Sequence, residues 1–160
     1  MAEHTATIAW TRGSDENFLD KRYRRAHTWR FDGGATVAAS SSPHVVPLPY
    51  SDAVAVDPEE AYVAALSSCH MLWFLDLASR AGLRVNSYTD AAVGTMGQDE
   101  QGRLVVTQVQ LRPVTRFDAA HAPSAEQLED LHHRAHAACF LANSVKTRID
   151  CAPVLEVEGA

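Results

Sequence analysis

Three cysteines and eight histidines are the residues of this 160-residue chain best suited to chemistry. Cys69 stands inside an apolar stretch, Ala61 to Leu66 and Met71 to Leu75, flanked by Ser67, Ser68 and His70. A polar cluster inside an apolar helix needs a reason, because buried polar groups cost free energy unless they are bonded. Cys139 belongs to a second pattern, His132, His136, Cys139 and Asn143, whose 4, 3, 4 spacing places them on one helical face. Two chemistries suit these sets. A thiolate is a nucleophile that reacts with oxidants. Alternatively, His132, His136 and Cys139, completed by Cys69 or His70, offer the nitrogen and sulfur ligands of a tetrahedral zinc site. Cys151, on a later strand, reads as packing.

The first element that must position these groups is a helix from Pro58 to about Ala81. Asp57 can accept from the free N–H groups of its first turn, Pro58 suits the first helical position, and Glu59 and Glu60 face the positive end of the dipole. Gly82 can take the left-handed conformation that closes a helix. Its apolar residues wrap nearly the whole circumference, so burial on most sides is expected. A second helix is expected from Ser124 to about Lys146, opened by a Ser124/Gln127 capping box and striped by Leu128, Leu131, Ala135, Ala138, Ala142 and Val145.

Strands are expected over His4–Thr11, over His27–Phe31 and Ala35–Ala39 around an Asp32-Gly33-Gly34 turn, and over Val85–Met96, Leu104–Phe117 and Thr147–Val157. Pro113 points to an edge or a bulge late in Leu104–Phe117. Ser40–Asp57, with three prolines, reads as an irregular loop. The outline is a single α+β domain over residues 1–160.

Hydrophobic content of 46% and charged content of 21% are those of an ordinary globular protein. A formal net charge of −6 and a pI near 5.7 speak against nucleic acid as a partner. The sequence reads as having no membrane partner, since no uncharged run approaches the ~18 apolar residues of a span. The N-terminus lacks the plan of a signal peptide, and three cysteines do not make a disulfide-stapled scaffold. The expected compartment is the reducing cytoplasm, where the cysteines are thiols by default.

Asp57-Pro58-Glu59-Glu60 ahead of a helical Cys69, and Ala135-His136-Ala-Ala-Cys139-Phe-Leu-Ala142-Asn143-Ser144 on a late helix, together resemble the OsmC/Ohr family of organic-hydroperoxide peroxidases. Arg25-Ala26-His27-Thr-Trp29 before the Gly-Gly hairpin and Leu111-Arg112-Pro113 add to the resemblance, which covers most of the chain in matching order. It implies an intertwined homodimer, with antiparallel sheets around two long central helices. It also implies thiol peroxidation without a cofactor. The cysteine matching Cys69 attacks the O–O bond of an organic hydroperoxide and becomes a sulfenic acid. The one matching Cys139 condenses with it to a disulfide, and a thiol reductant, with a dihydrolipoyl protein as one candidate, reopens it. The family's arginine and glutamate correspond to Arg25, with Arg24 and Arg22 as alternatives, and to Glu59. Ser67-Ser68 before the cysteine, His70 after it, and Phe140 after Cys139 depart from the commoner family text and point to a divergent subgroup.

The residues assign the same parts a physical job. A free cysteine titrates near ~8.5, so only a few per cent is thiolate at neutral pH. A guanidinium beside Cys69 would favour the thiolate and stabilise the leaving alkoxide, and a carboxylate would hold that guanidinium. If both are helical, Glu59 and Cys69 lie about 15 Å apart at ~1.5 Å per residue. The expectation is that Glu59 and Arg25 act in trans across a dimer interface; the alternative is a loop end that folds back. His70 is turned ~100° from Cys69 and reads as a bonded core histidine rather than a general base. Trp73 and Phe74 read as core or as the lining of an apolar pocket. The competing reading is a zinc- or small-ligand-binding dimer with an inactive cysteine site.

Overall fold

The computed structural model describes residues 2–158; Met1, Gly159 and Ala160, the ends of the domain expected over 1–160, lie outside them. The chain folds as two compact units, Met1–Ala61 and Tyr62–Ala160.

The first unit carries a three-stranded antiparallel sheet, β1 (Ala6–Ala9), β2 (His27–Phe31) and β3 (Thr36–Ala39). The expected turn joins β2 to β3: Gly34 adopts φ +87°, which a side chain would strain, and donates to the Phe31 carbonyl. β1 is shorter than the alternation suggested and exposed throughout, with Ile8 59% exposed. At the end of the Ser40–Asp57 loop the Asp57 carboxylate accepts from the Glu60 N–H at 2.8 Å. The Glu60 carboxylate reaches back to the Asp57 N–H at 3.3 Å, so the helix start is capped reciprocally.

Helix α1 (Pro58–Arg80) begins there and runs into the second unit. Its close is as expected: Gly82 has φ +74°, the Leu83 N–H bonds the Ala78 carbonyl and the Gly82 N–H bonds that of Ser79. Those two bonds satisfy carbonyls the helix itself leaves open. Its burial is not as expected. One stripe, Leu66, His70, Phe74 and Ala78, is buried, while Leu72 on another side is 61% exposed. Within one chain, packing partners lie on a single side of α1, although its residues are apolar all round. By length and composition alone α1 is long and apolar enough to cross a membrane. Its buried stripe nevertheless packs against the protein's own strands and second helix.

Each of the three long strands expected in the second unit is two strands. Val85–Met96 divides into β4 (Val85–Asp90) and β5 (Val93–Gln98), Leu104–Phe117 into β6 (Leu104–Leu111) and β7 (Pro113–Asp118), and Thr147–Val157 into β8 (Arg148–Cys151) and β9 (Val154–Glu158). Two of the breaks fall at Pro113 and Pro153, where a missing N–H cannot continue a ladder. The halves join different sheets, ordered β4-β7-β9 and β5-β6-β8. Neither sheet is purely antiparallel, as the resemblance had implied: β6 with β8 and β7 with β9 are parallel pairs.

α1 lies along both sheets. Leu66 packs on Val109 and Leu111 of β6, and Phe74 and Ala78 pack on Phe117 of β7 and on helix α2 (Ala125–Ala138). At Gly94 of β5 a Cβ would sit 2.5 Å from Val63 of α1, so glycine lets helix and sheet approach. α2 opens with the expected Ser124/Gln127 capping box but ends eight residues before Lys146. The apolar spacing stays in phase past Cys139, yet the Asn143 amide donates to the Ala137 carbonyl and the Ser144 hydroxyl to that of Phe140. These local bonds compete with helix propagation, and a short 3₁₀ turn at Ala142–Ser144 follows instead.

Candidate active site and a histidine–cysteine cluster

Cys69 lies near the middle of α1, half-buried, and Cys139 forms the C-cap of α2, fully buried. Cys139 was expected within a helix. As a cap its backbone is extended (ψ 114°), while its N–H still bonds the Ala135 and His136 carbonyls. The two sulfurs lie 2.8 Å apart with Cys139 donating, about 0.8 Å beyond a covalent S–S bond. The Ala142 N–H points at the Cys139 sulfur from 3.4 Å.

Burial, followed by the bond to Cys69, pushes the Cys139 thiol up to about 11. It therefore keeps its proton at neutral pH and offers it to the Cys69 sulfur. Access separates the two, because Cys69 is partly open and Cys139 is 1% exposed. Of the two thiols, Cys69 is the one open to solvent.

Around the pair the surface is apolar. Trp73, one turn beyond Cys69, meets Phe140 edge to face at 5.4 Å. Phe140 is 71% exposed, as is much of Leu72 and Leu141. Phe74 is core, as one of the two sequence readings had it, and Trp73 packs partly buried against the same core.

Arg25 and Glu59 belong to the first unit. The Arg25 guanidinium donates to the carbonyls of Lys21 (2.8 Å) and Tyr23 and stacks 3.9 Å over the Tyr23 ring. Its backbone is pinned as well: its N–H bonds the Tyr50 carbonyl, and His27 Nδ1 lies 2.7 Å from its own carbonyl. Since His27 Nε2 accepts from the Trp29 indole at 2.8 Å, the His27 proton is on Nδ1 and donates to Arg25. Neither Arg25 nor Glu59 is in an ion pair among the described residues. Both Glu59 and Cys69 are inside α1, which removes the alternative of a loop end that folds back.

The polar cluster around Cys69 resolves residue by residue. Ser67 donates to the Asp90 carboxylate at 2.5 Å, and Asp90 also accepts from the Arg112 N–H at 2.6 Å, bracing α1 to the point where β6 gives way to β7. Ser68 is exposed. His70 is buried, with Nε2 2.9 Å from Nδ1 of His132 and the two rings nearly parallel. Cys151 packs against the Leu66, Val109 and Leu111 cluster, as read, and its Sγ also lies 3.9 Å and 3.7 Å from those same nitrogens. The zinc ligand set read from the sequence is rearranged. His132 faces His70 and Cys151, Cys139 faces Cys69, and His136 lines a groove of about 640 Å³ beside them. The signal missed was that the end of β8, paired with Leu111, would carry Cys151 to the helices.

Burial pulls His70 down to about 4, helped by His136, and His132 down to about 3, helped by His70; it pushes Cys151 up to about 12. All three are neutral at pH 7. Among the described residues, His70 Nδ1 and His132 Nε2 have no hydrogen-bond partner.

Comparison with known proteins agrees with the resemblance. A family model described as OsmC-like protein matches residues 51–153, a span that holds Glu59 and all three cysteines but not Arg25. Among solved structures, an OsmC-like protein of unknown function from Vibrio cholerae is 52% identical, with TM-score 0.94 over 96% of this chain and 100% of that one. An organic hydroperoxide resistance protein from Elizabethkingia anophelis is 18% identical, TM-score 0.70, over 99% and 98%. One from Legionella pneumophila is 12% identical, TM-score 0.64, over 98% of each chain. At the latter two identities the likeness is one of fold. No curated protein matches the chain. With more than half of its length under the family model and a near relative of the same fold along almost its whole length, the chain belongs to the OsmC-like protein family.

Proposed function

We propose that the protein is a thiol-dependent peroxidase that reduces organic hydroperoxides, the reading its sulfur pair supports best. The carrying observation is the 2.8 Å approach of a half-exposed Cys69 to a buried, protonated Cys139. The Cys69 thiolate attacks the terminal oxygen of ROOH; the O–O bond breaks, RO⁻ leaves and takes a proton, and Cys69 becomes a sulfenic acid. The Cys139 thiol then displaces hydroxide from that sulfur, its proton completing water, and the Cys69–Cys139 disulfide forms. Two thiols of an external reductant reopen it by exchange, a dihydrolipoyl protein being one candidate. The second thiol thus traps the sulfenic acid before irreversible oxidation. Trp73, Phe140 and Leu72 give the alkyl part of the peroxide an apolar surface. The organic hydroperoxide resistance proteins that share the fold agree with this at the level of analogy.

The working unit is a homodimer in the reducing cytoplasm. Glu59 stands ten residues from Cys69 on one continuous helix, about 15 Å along its axis, too far for both to hold one guanidinium. The partner subunit's Glu59 and Arg25 supply the carboxylate and the cation, and α1 has an exposed apolar side to present to a second copy. Arg25 exchanges its loop carbonyls for that role. The test is consumption of an alkyl hydroperoxide with dithiol reductant present. Cys69→Ser should abolish it, and Cys139→Ser should stop after one turnover with a sulfenic acid that dimedone labels at Cys69. Unchanged consumption by Cys69→Ser would overturn the reading.

A further inference from the structure

We propose that His70, His132 and Cys151 form a metal site, suited to a borderline-soft divalent ion such as Zn²⁺ and separate from the Cys69–Cys139 pair. The three residues come from α1, α2 and β8, and each directs one donor atom to a common point: His70 Nε2, His132 Nδ1 and Cys151 Sγ. Their separations are 2.9 Å between the nitrogens and 3.9 and 3.7 Å from the sulfur to each. A tetrahedral ion with Zn–N near 2.0–2.1 Å and Zn–S near 2.3 Å requires edges of roughly 3.3 Å (N to N) and 3.6 Å (N to S). All three observed edges fall within about 0.4 Å of these values.

The protonation pattern fits. The outward nitrogens, His70 Nδ1 and His132 Nε2, have no partner among the described residues. The inward nitrogens, 2.9 Å apart, share one proton in a hydrogen bond; a divalent ion takes the place of that proton, and each ring then carries its own proton on the outward nitrogen. Phe74 stacks on His132 at 4.2 Å and fixes the plane of that ring. On binding, the Cys151 S–H proton passes to solvent as the S–metal bond forms, with no change of oxidation state. An N₂S donor set selects zinc or a similar ion over magnesium or calcium. His132 and Cys151 also line the groove shared with Glu129 and His136, which gives an ion a way in and a water a fourth position.

The experiment titrates chelator-stripped, reduced protein with Co²⁺ and then displaces it with Zn²⁺. Expected is one equivalent of tetrahedral Co²⁺ d–d absorption with a sulfur-to-cobalt charge-transfer band, both removed by Zn²⁺. Cys151→Ser should lose the charge-transfer band and weaken affinity by about a hundredfold or more, beyond the effect of losing an outer-shell partner. The Cys69→Ser/Cys139→Ser double variant should bind as the parent does, whatever its peroxidase activity. His132→Gln should weaken affinity comparably while the cobalt that still binds keeps its sulfur charge-transfer band; should it fail to fold, Cys151→Ser, a one-atom change, decides. Binding that survives Cys151→Ser, binding lost in the double variant, or no binding in the parent would each overturn the assignment.

Discussion

The division of labour between the two sulfurs can be tested through the reactivity of Cys139. In Cys69→Ser protein the largest cause of its raised pKa, burial, remains. A thiol at about 11 is roughly 0.03% ionised at pH 7.5, against roughly 10% for a free cysteine near 8.5, a ratio of about 300. The rarer thiolate is the better nucleophile. With a Brønsted slope of ~0.4–0.5 over that gap, reactivity per thiolate rises about tenfold, leaving Cys139 slower by about 20- to 30-fold. Steric closure at 1% exposure slows it further. The assay is modification by a small aromatic disulfide, read at Cys139 by peptide mass spectrometry, in native protein and in the same protein unfolded in urea. The native rate should be at least about twentyfold below the unfolded rate and should rise close to tenfold per pH unit while the fold persists. A native rate within twofold of the unfolded one would refute the picture of a buried, protonated resolving thiol.

Acid should destabilise chelator-stripped protein. His70 and His132 titrate near 4 and 3 when folded and near 6.5 when unfolded, so below 6.5 the unfolded chain binds protons the native state refuses. By pH 5 that amounts to about 2 kcal/mol for each, and urea midpoints at pH 7.5 and 5 should differ accordingly; equal midpoints would contradict the buried pair. Phe74→Ala, at a fully buried ring touching Phe117 and His132, should cost about 3–5 kcal/mol in urea unfolding. Mixing inactive Cys69→Ser with inactive Glu59→Ala should regenerate about a quarter of parental activity, since half the dimers become mixed and each then holds one complete site. No recovery on mixing would place Glu59 in its own chain's site.

Much of the site could be read from the residues because its signals are local. Asp57-Pro58-Glu59-Glu60 and Gly82 punctuate α1 through bonds within five residues, and Ser124 with Gln127 opens α2 in the same way. The sulfur pairing came through the family's motifs; no periodicity would have joined residues 69 and 139. What escaped was decided over long range. Pro113 and Pro153 mark breaks, but only the sheets show that the halves change partners. Periodicity carried α2 past Cys139 because it does not see Asn143 and Ser144 bonding back to the backbone. Cys151 looked inert because its neighbours, His70 and His132, lie 81 and 19 residues away along the chain.

Thiol counting on reduced protein before and after one equivalent of an alkyl hydroperoxide, with mass spectrometry of the linked peptides, tests the peroxidase reading most directly. Two of the three thiols should disappear per equivalent, and the cross-linked peptides should join Cys69 to Cys139 with Cys151 still reduced. Retention of all three thiols, or a linkage that includes Cys151, would contradict it.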